Sequence, residues 1–449
     1  MRKINKKVCC ITLSVFLLTA LILPSVIIHG DGKKKQEIFS ESLAYAISDN
    51  TQENTGKAMY DGETVSILCE ETDLGADIFF DKDSPDEYSK KAAERNDTVT
   101  RLYGISPKKK AVSDICEYLK TSDASNISHG LVYASGEGGM SSLMLHGLLD
   151  DLSLYGTELL HGAGVSVSAV RGLSVYGKIY MLTGAPVRSS IENVAAVAYN
   201  AAALNSMGYE AGYLEKAVTD GKWTFDVMRR LVKEYDGAGL SGCSDTLYYM
   251  WKGMGALTVE KENGDVPKVT VYGPKNIYYF EQVSDYVRSV GDIGRENTSL
   301  FYTDTLGNIS KALSADIGIL PIPSYNEDAK YRCAIDFGST FFTAIPKNTE
   351  NKQLSVEYMK ALYDTSLDSV YPVIIKKYTY TDPIMLDMIL KNRYFDFLDM
   401  YGIGHIVSTA FSAKIEIKDF DALLKARAEF AREALDIALR QTVGQYTEK

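Results

Sequence analysis

Short apolar runs alternate with turns and helix-like segments along most of this chain. Residues 64–69 (TVSILC) and 130–134 (GLVYA) have the β-branched, apolar character of buried strands. Residues 86–103 form a charged helical stretch, and the turn at 135–139 (SGEGG) leads into a helical segment at 140–149. Strand, turn and helix in alternation are typical of βαβ units. The pattern therefore predicts an α/β fold.

Further elements follow the same alternation. Four more runs are expected to be strands, at residues 176–182, 194–199, 317–323 and 341–345. A helix is expected at 111–119.

Two later helices carry more specific signals. Thr224 can cap a helix over 225–235, with Asp226 in its first turn. Residues 420–438 place apolar side chains at three- and four-residue steps, which predicts a long amphipathic helix.

The first thirty residues predict export. Arg2, Lys3, Lys6 and Lys7 precede an apolar run over 8–28, an arrangement that orients the start inside and the remainder outside. We expect residues 1–30 to be a signal peptide or an N-terminal membrane anchor, and both remain open. The polar residues 31–61 are interpreted as a linker. The expected location is extracellular, at the outer face of the cytoplasmic membrane.

Length and charge narrow the class of protein. About 390 residues remain after the anchor and linker, enough for two domains. The formal net charge of -11 argues against a nucleic-acid partner. The 30 tyrosines offer apolar rings with a hydroxyl, which suit polar ligands such as sugars, although most tyrosines pack in cores.

The remaining cysteines leave two alternatives. Cys69, Cys116, Cys243 and Cys333 match no zinc pattern. In an exported protein they can form two disulfides, with Cys69–Cys116 and Cys243–Cys333 as one of three pairings. Free buried thiols are an equal alternative.

Motifs for catalysis or cofactor binding are missing from the sequence. The glycines at 136–139 lack the Lys-Ser/Thr of a P-loop and are interpreted as a turn. The five histidines form no HExxH or other close metal pair. Asp150 and Asp151 are neighbours at a helix end and are interpreted as solvated rather than as a glycosidase pair. We expect no enzyme activity, no cofactor and no metal.

Seven segments, in order over residues 62–440, resemble the bacterial extracellular solute-binding proteins of family 1, the maltose-binding type. They are residues 94–104 (ERNDTVTRLYG), 149–152 (LDDL), 176–180 (YGKIY), 197–200 (VAYN), 221–226 (GKWTFD), 317–325 (IGILPIPSY) and 344–349 (AIPKNT). Where that family often has an acidic, calcium-like loop, residues 235–240 (YDGAGL) carry one carboxylate. This departure again argues against a metal.

The resemblance implies a periplasmic-binding-protein-like fold of type II, with two α/β lobes joined by three crossovers. Lobe I would comprise residues 62–184 and 320–365, and lobe II residues 185–319 and 366–449. The ligand, expected to be an oligosaccharide, would lie in the cleft and pass to the permease subunits of an ABC importer. The alternatives are a membrane-anchored sensor or interaction protein that reuses the fold, and an extracellular hydrolase.

Six side chains are expected to contact the ligand, because strand ends at a cleft between α/β lobes are where ligands bind. They are Tyr133 and Glu137 at the strand-to-helix turn, Arg188 and Asn193 after the first crossover, and Trp251 and Tyr302 in lobe II. The alternative is core packing for the tyrosines, a surface ion pair for Arg188, and the edge of the second core for Trp251.

Overall fold

The computed structural model describes residues 60, 62–73, 75, 77–80, 83–121, 130–262, 266–289, 299–312, 317–378, 382–403, 405–412 and 416–443. These residues belong to one compact unit. The predicted signal peptide or anchor at 1–30, and all of the predicted linker at 31–61 except Tyr60, lie outside them. Among the described helices, none combines the length and apolarity that a bilayer span requires.

The described strands are short, as is usual for α/β proteins. They are β1 (Glu63–Glu70), β2 (Ile105–Val112), β3 (Gly130–Ser135), β4 (Ala195–Asn200), β5 (Leu240–Gly242), β6 (Val259–Glu262), β7 (Val266–Val269), β8 (Phe301–Thr305), β9 (Ile317–Leu320), β10 (Cys333–Ala334), β11 (Phe341–Ala344) and β12 (Arg393–Tyr394).

The described α-helices range from single turns to a helix of 27 residues. They are α1 (Glu87–Tyr103), α2 (Ile115–Thr121), α3 (Ser141–Leu145), α4 (Thr157–Leu160), α5 (Val167–Leu173), α6 (Ser189–Glu192), α7 (Ala201–Ser206), α8 (Tyr213–Thr219), α9 (Phe225–Glu234), α10 (Thr246–Gly253), α11 (Pro274–Ser289), α12 (Leu306–Ala312), α13 (Lys352–Asp368), α14 (Val370–Lys376), α15 (Pro383–Lys391), α16 (His405–Ser412) and α17 (Ile417–Val443). Other helical turns are Gly136–Met140, Leu152–Tyr155 and Phe397–Tyr401.

The first lobe is built on the sheet β2-β1-β3-β11, with the helices that pack on it. Strands β1, β2 and β3 are parallel, and β11 joins β3 in antiparallel register, with Thr343 opposite Tyr133. The sheet thus combines strands from two distant stretches of the chain. Helices α13 and α14, which follow β11, pack against α1.

The second lobe is built on the sheet β5-β8-β4-β9. Strand β4 runs antiparallel to both β8 and β9, whereas β5 and β8 are parallel. Helix α15, late in the chain, packs on β9. The predicted two-lobed α/β architecture is therefore observed, while the exact lobe boundaries stay a prediction.

A tight contact lies at Gly184, between the last strand of the first parallel set, β3, and the first strand of the second sheet, β4. Gly184 has φ 154° and lies so close to Gly164 that an added Cβ would approach the Gly164 carbonyl oxygen to 2.2 Å. The Ala185 N–H donates to that oxygen over 2.7 Å. Only glycine fits here, because any side chain would meet backbone atoms.

The strongest helix predictions are confirmed. Helix α1 spans Glu87–Tyr103, and the Thr224 hydroxyl accepts a hydrogen bond from the Val227 N–H at the start of α9. The apolar stripe predicted over 420–438 is buried along α17. That helix contacts α3 of the first lobe and α11 of the second.

Three local predictions are wrong. Residues 105–112 form β2, so the helix predicted over 111–119 begins only at Ile115. Residues 176–182 form a turn with isolated bridges, and Tyr176 there has φ 53°. Asp150 and Asp151 are buried rather than solvated.

Within the described residues, Cys69, Cys116, Cys243 and Cys333 are free thiols. Cys243 is half-buried and the other three are buried. The free-thiol alternative therefore describes this structure, and the two-disulfide alternative does not.

Candidate functional site

A small polar pocket lies beside the start of α10 and the stretch that connects β10 to β11. Its walls come from the start of α10, the stretch between β10 and β11, the turn Phe397–Tyr401 and the start of α16. The lining residues are Asp245, Tyr248, Tyr249, Ile335, Asp336, Phe337, Asp399 and His405. The cavity volume is about 10 Å³, room for about one water molecule, and the pocket is partly open to solvent.

Local structure fixes two of these carboxylates. Asp245 follows β5 and immediately precedes α10, where parallel strands of an α/β sheet present their carboxyl ends. Asp336 is held by its backbone, whose N–H donates to the Asn193 carbonyl oxygen over 3.1 Å. Its Oδ1 accepts from the Gly338 N–H at 3.0 Å. Asp336 therefore links the stretch between β10 and β11 to the residue that follows α6.

Glu137 brings the first lobe to this pocket. It lies in the turn after β3, and its backbone N–H donates to the Phe337 carbonyl oxygen over 3.0 Å. Its Oε2 lies 3.3 Å from His405 Nε2, an ion-pair distance without hydrogen-bond geometry. Burial raises the pKa of Glu137, and the charges of Asp336 and Asp245 raise it further, while His405 opposes the shift.

Behind the pocket, Lys252 is completely buried between two carboxylates. Its Nζ lies 2.7 Å from Asp396 Oδ2 and 2.8 Å from Asp399 Oδ2. Asp396 also accepts hydrogen bonds from the Thr258 N–H and hydroxyl. The fixed charge of Lys252 is thus shared by two acids, and Asp396 is fully bonded.

Asp399 is less well satisfied than Asp396. Its Oδ2 accepts from the Tyr248 hydroxyl over 2.7 Å, but its buried Oδ1 has no hydrogen-bond partner among the described residues. Burial raises the pKa of Asp399 to about 6, and the neighbouring Asp396 adds to the rise against the pull of Lys252. Asp399 therefore lines the pocket and has one buried oxygen that receives no hydrogen bond from the described residues.

Tyr133 and Arg188, two of the predicted ligand contacts, meet instead at a buried carboxylate of the first lobe. The Tyr133 hydroxyl donates to Asp77 Oδ2 over 2.7 Å, and the Tyr88 hydroxyl donates to Oδ1 over 3.2 Å. Tyr133 is buried and its ring stacks on Phe341 at 4.7 Å. Its placement is the core-packing alternative.

Arg188 lies over this cluster and remains about one-third exposed. Its Nε is 3.9 Å from Asp77 Oδ1 and 3.4 Å from Glu192 Oε2. Its guanidinium also stacks over the Tyr88 ring at 5.0 Å. Burial raises the pKa of Asp77, and Arg188 and the two tyrosine hydroxyls oppose that shift.

The other three predicted contacts occupy different places. Asn193 ends α6 and reaches the pocket only through its carbonyl bond to Asp336. Tyr302, on β8, donates to Asp304 Oδ2 over 2.7 Å, and its role with a ligand stays a prediction. Trp251 is fully buried in the second core, where its Nε1 donates to the Asn276 carbonyl oxygen over 2.9 Å. Trp251 has no surface to offer a ligand in this structure.

None of the six predicted ligand contacts lines the pocket, although Glu137 lies beside His405 and the Asn193 carbonyl accepts from the Asp336 N–H. The acidic and basic lining residues that sequence reasoning missed are Asp245, Asp336, Asp399 and His405. Asp245 could have been found, since it is an acid directly after a strand and before a helix. Among the residues that the structure describes, no three His, Cys, Asp or Glu side chains converge as metal ligands.

No protein-family model matches the sequence, and no curated protein matches it. Solved structures do match. A cyclo/maltodextrin-binding protein complexed with maltotetraose aligns with TM-score 0.52 and 13% identity, covering 88% of this chain and 100% of that one. T. maritima MalE3 with bound maltose aligns with TM-score 0.51 and 11% identity, covering 82% and 99%. The chain therefore has the two-lobed α/β fold of these maltose- and maltodextrin-binding proteins.

Proposed function

We propose that this protein is an extracytoplasmic member of the family 1 solute-binding proteins. It binds an oligosaccharide between its lobes, attaches to the membrane through its N-terminus, delivers the solute to the permeases of an ABC importer and catalyses no reaction. The observation that carries this proposal is the polar pocket at the junction of two α/β lobes, in the fold of proteins that hold maltose and maltotetraose.

Carboxylates suit this role because each oxygen accepts hydrogen bonds from sugar hydroxyls. Asp245 and Asp336 lie half-buried at the pocket and Glu137 beside it, so a ligand can reach them from solvent. Hinged lobes also couple binding to closure, which a transporter can sense. We propose Glu137, Asn193 and Arg188 as contacts of the bound solute.

A second candidate is the membrane-anchored sensor or interaction protein. It is favoured by the small cavity volume of about 10 Å³ and by the burial of Trp251 and Tyr133 in the two cores. A sugar ring needs more room, so capture of an oligosaccharide requires the lobes to separate first. A protein that no longer transports has no such requirement.

The test is a melting-temperature screen of the full chain against mono- and oligosaccharides, with amino acids and peptides as controls. A solute at a hundred times its dissociation constant adds about 2.7 kcal/mol to the free energy of unfolding, which raises the melting temperature. Asp336→Asn should weaken the shift. Asp226→Asn, whose carboxylate is on the exposed surface of α9, should leave it unchanged.

A melting temperature that no solute raises, in a well-folded protein, would contradict capture of a sugar and favour the anchored interaction protein. Trp251→Ala is unsuitable as a site variant, because a Trp→Ala change in a core costs about 3–5 kcal/mol without any ligand.

A further inference from the structure

The charge of the pocket is one-sided. Asp245, Asp336 and Asp399 line it, and Glu137 lies beside it. His405 is the only basic side chain among its lining residues. A neutral sugar needs acceptors and donors in balance, whereas this site presents mainly acceptors.

Lys252 does not balance these acids. It is fully buried, and its Nζ contacts Asp396 and Asp399 at 2.7 and 2.8 Å. One ammonium shared by two carboxylates leaves one negative charge in the group of three. The side facing the pocket is therefore acidic even when the buried lysine is counted.

A separate observation concerns hydrogen bonding. Asp399 is 5% exposed, and its Oδ1 has no donor among the described residues, although Oδ2 is bonded by Tyr248 and Lys252. Glu137 Oε2 is a second buried oxygen that receives no hydrogen bond from the described part of the chain. Buried acceptors without donors are costly and rare, so a donor from a ligand would stabilise this arrangement.

The cavity volume limits the size of the donor group that a ligand can place in the pocket. About 10 Å³ holds one group of the size of water, and a primary ammonium has that size and three N–H donors. A pyranose ring does not fit this space. A bound metal would need several convergent ligands, and the described residues contain no such group.

We propose that this pocket holds a protonated primary amine of the solute, so that the ligand is an amino-sugar oligosaccharide. This inference rests on the proposed function of carbohydrate binding. The ammonium lies among Asp399, Asp336 and Asp245, while the rest of the sugar extends into the cleft between the lobes.

The experiment is calorimetric titration of the full chain with two disaccharides that differ in one group. The glucosamine disaccharide carries free amines, and its N-acetylated counterpart is neutral. Cellobiose is a further neutral control. We expect the amine form to bind at least about tenfold more tightly than the acetylated form, a difference of about 1.4 kcal/mol.

Two variants locate the effect. Asp399→Asn removes the charge of the residue with the unpaired oxygen and should reduce the preference for the amine by about tenfold. Asp399→Asn also changes the contact with the buried Lys252, so Asp336→Asn, on the half-buried stretch between β10 and β11, tests the charge of the pocket separately. Asp226→Asn is the matched control and should keep the preference.

The outcomes separate the two proposals. If both disaccharides bind equally well, the amine site is overturned while carbohydrate binding stands. If neither the disaccharides nor any other sugar binds, the proposed function fails and this inference with it. A preference that survives Asp336→Asn and Asp399→Asn overturns the assignment of the amine to this pocket.

Discussion

Each lobe buries an acidic side chain, but the two are satisfied in different ways. Asp77, in the first lobe, receives a tyrosine hydroxyl on each oxygen, from Tyr88 and Tyr133. Asp399, in the second, receives Tyr248 and Lys252 on one oxygen and no hydrogen bond from the described residues on the other. A fully bonded carboxylate is typical of a structural role, while a half-bonded one beside a pocket is available for a ligand.

The two buried carboxylates also differ in the exposure of the cation beside each of them. Arg188 lies 3.9 Å from Asp77 and is one-third exposed, so water screens part of that attraction. Lys252 is completely buried at 2.8 Å from Asp399. The second cluster therefore depends on its cation far more than the first does.

The largest effect is expected from Lys252→Met. This change leaves the carboxylates of Asp396 and Asp399 buried without a cation, which should lower the free energy of unfolding by about 3–5 kcal/mol. Urea denaturation measures the loss. Lys360→Met is the control, because Lys360 pairs with the exposed Glu158 at 3.1 Å and should lose less than about 1 kcal/mol. Equal losses in both variants would contradict the importance of the buried triad.

The next effect is a pH dependence set by Asp399. Its folded-state pKa of about 6 lies above its ordinary value, so between about pH 4 and 6 the folded state binds more protons than the unfolded chain. The contribution of Asp399 to stability therefore falls as pH rises through this window, by about 3 kcal/mol in total. Asp77 contributes in the same direction, since burial raises its pKa as well.

Several charged and polar groups face Asp399. They are Lys252 and Tyr248 from α10, Asp396 from its own turn, and Asp245, Asp336 and His405 across the pocket. Denaturation of the wild type and of Asp399→Asn at pH 4, 5, 6 and 7 isolates the contribution of Asp399 to the pH dependence of stability. At low pH the free energy of unfolding of the variant should be close to that of the wild type. Toward pH 7 the variant should become the more stable of the two. Parallel curves would refute the raised pKa.

The smallest effect is expected from Tyr133→Phe in the first lobe. Asp77 Oδ2 loses the hydroxyl that donates to it over 2.7 Å, while Oδ1 keeps Tyr88. A hydrogen bond to a charged group contributes about 1.5–3 kcal/mol, which sets the expected loss in unfolding free energy. Tyr209→Phe, which removes an exposed bond to Glu234, should change stability by less. Ligand binding should be unaffected by Tyr133→Phe, since that hydroxyl serves the fold.

Local signals in the sequence were enough for much of the fold. The cap at Thr224 and the apolar stripe of α17 depend on residues three or four apart, and both predictions are confirmed. The run at 176–182 failed because its composition suits a strand while Tyr176 and Gly177 both adopt positive φ. Backbone conformation at a turn is decided by contacts that composition does not contain.

The site was harder to predict because its residues are distant in sequence. Asp245, Asp336 and Asp399 are far apart in the sequence and line the same pocket only in the folded protein. Trp251 and Tyr133 were attractive ligand contacts by residue type, but the apolar interior and Asp77 provide them with better partners. Whether an aromatic ring faces a cleft or a core depends on tertiary packing, which one sequence leaves open.

The free cysteines give the molecule internal reporters of local opening. Cys69 lies on β1 of the first sheet, and Cys243 directly follows β5 of the second. Burial raises the pKa of both thiols, so each reacts slowly until its surroundings open. Alkylation followed by peptide mass spectrometry can therefore time the exposure of each lobe separately in the unmodified chain. A solute that holds the lobes together would slow both reactions, and one that orders a single lobe would slow one.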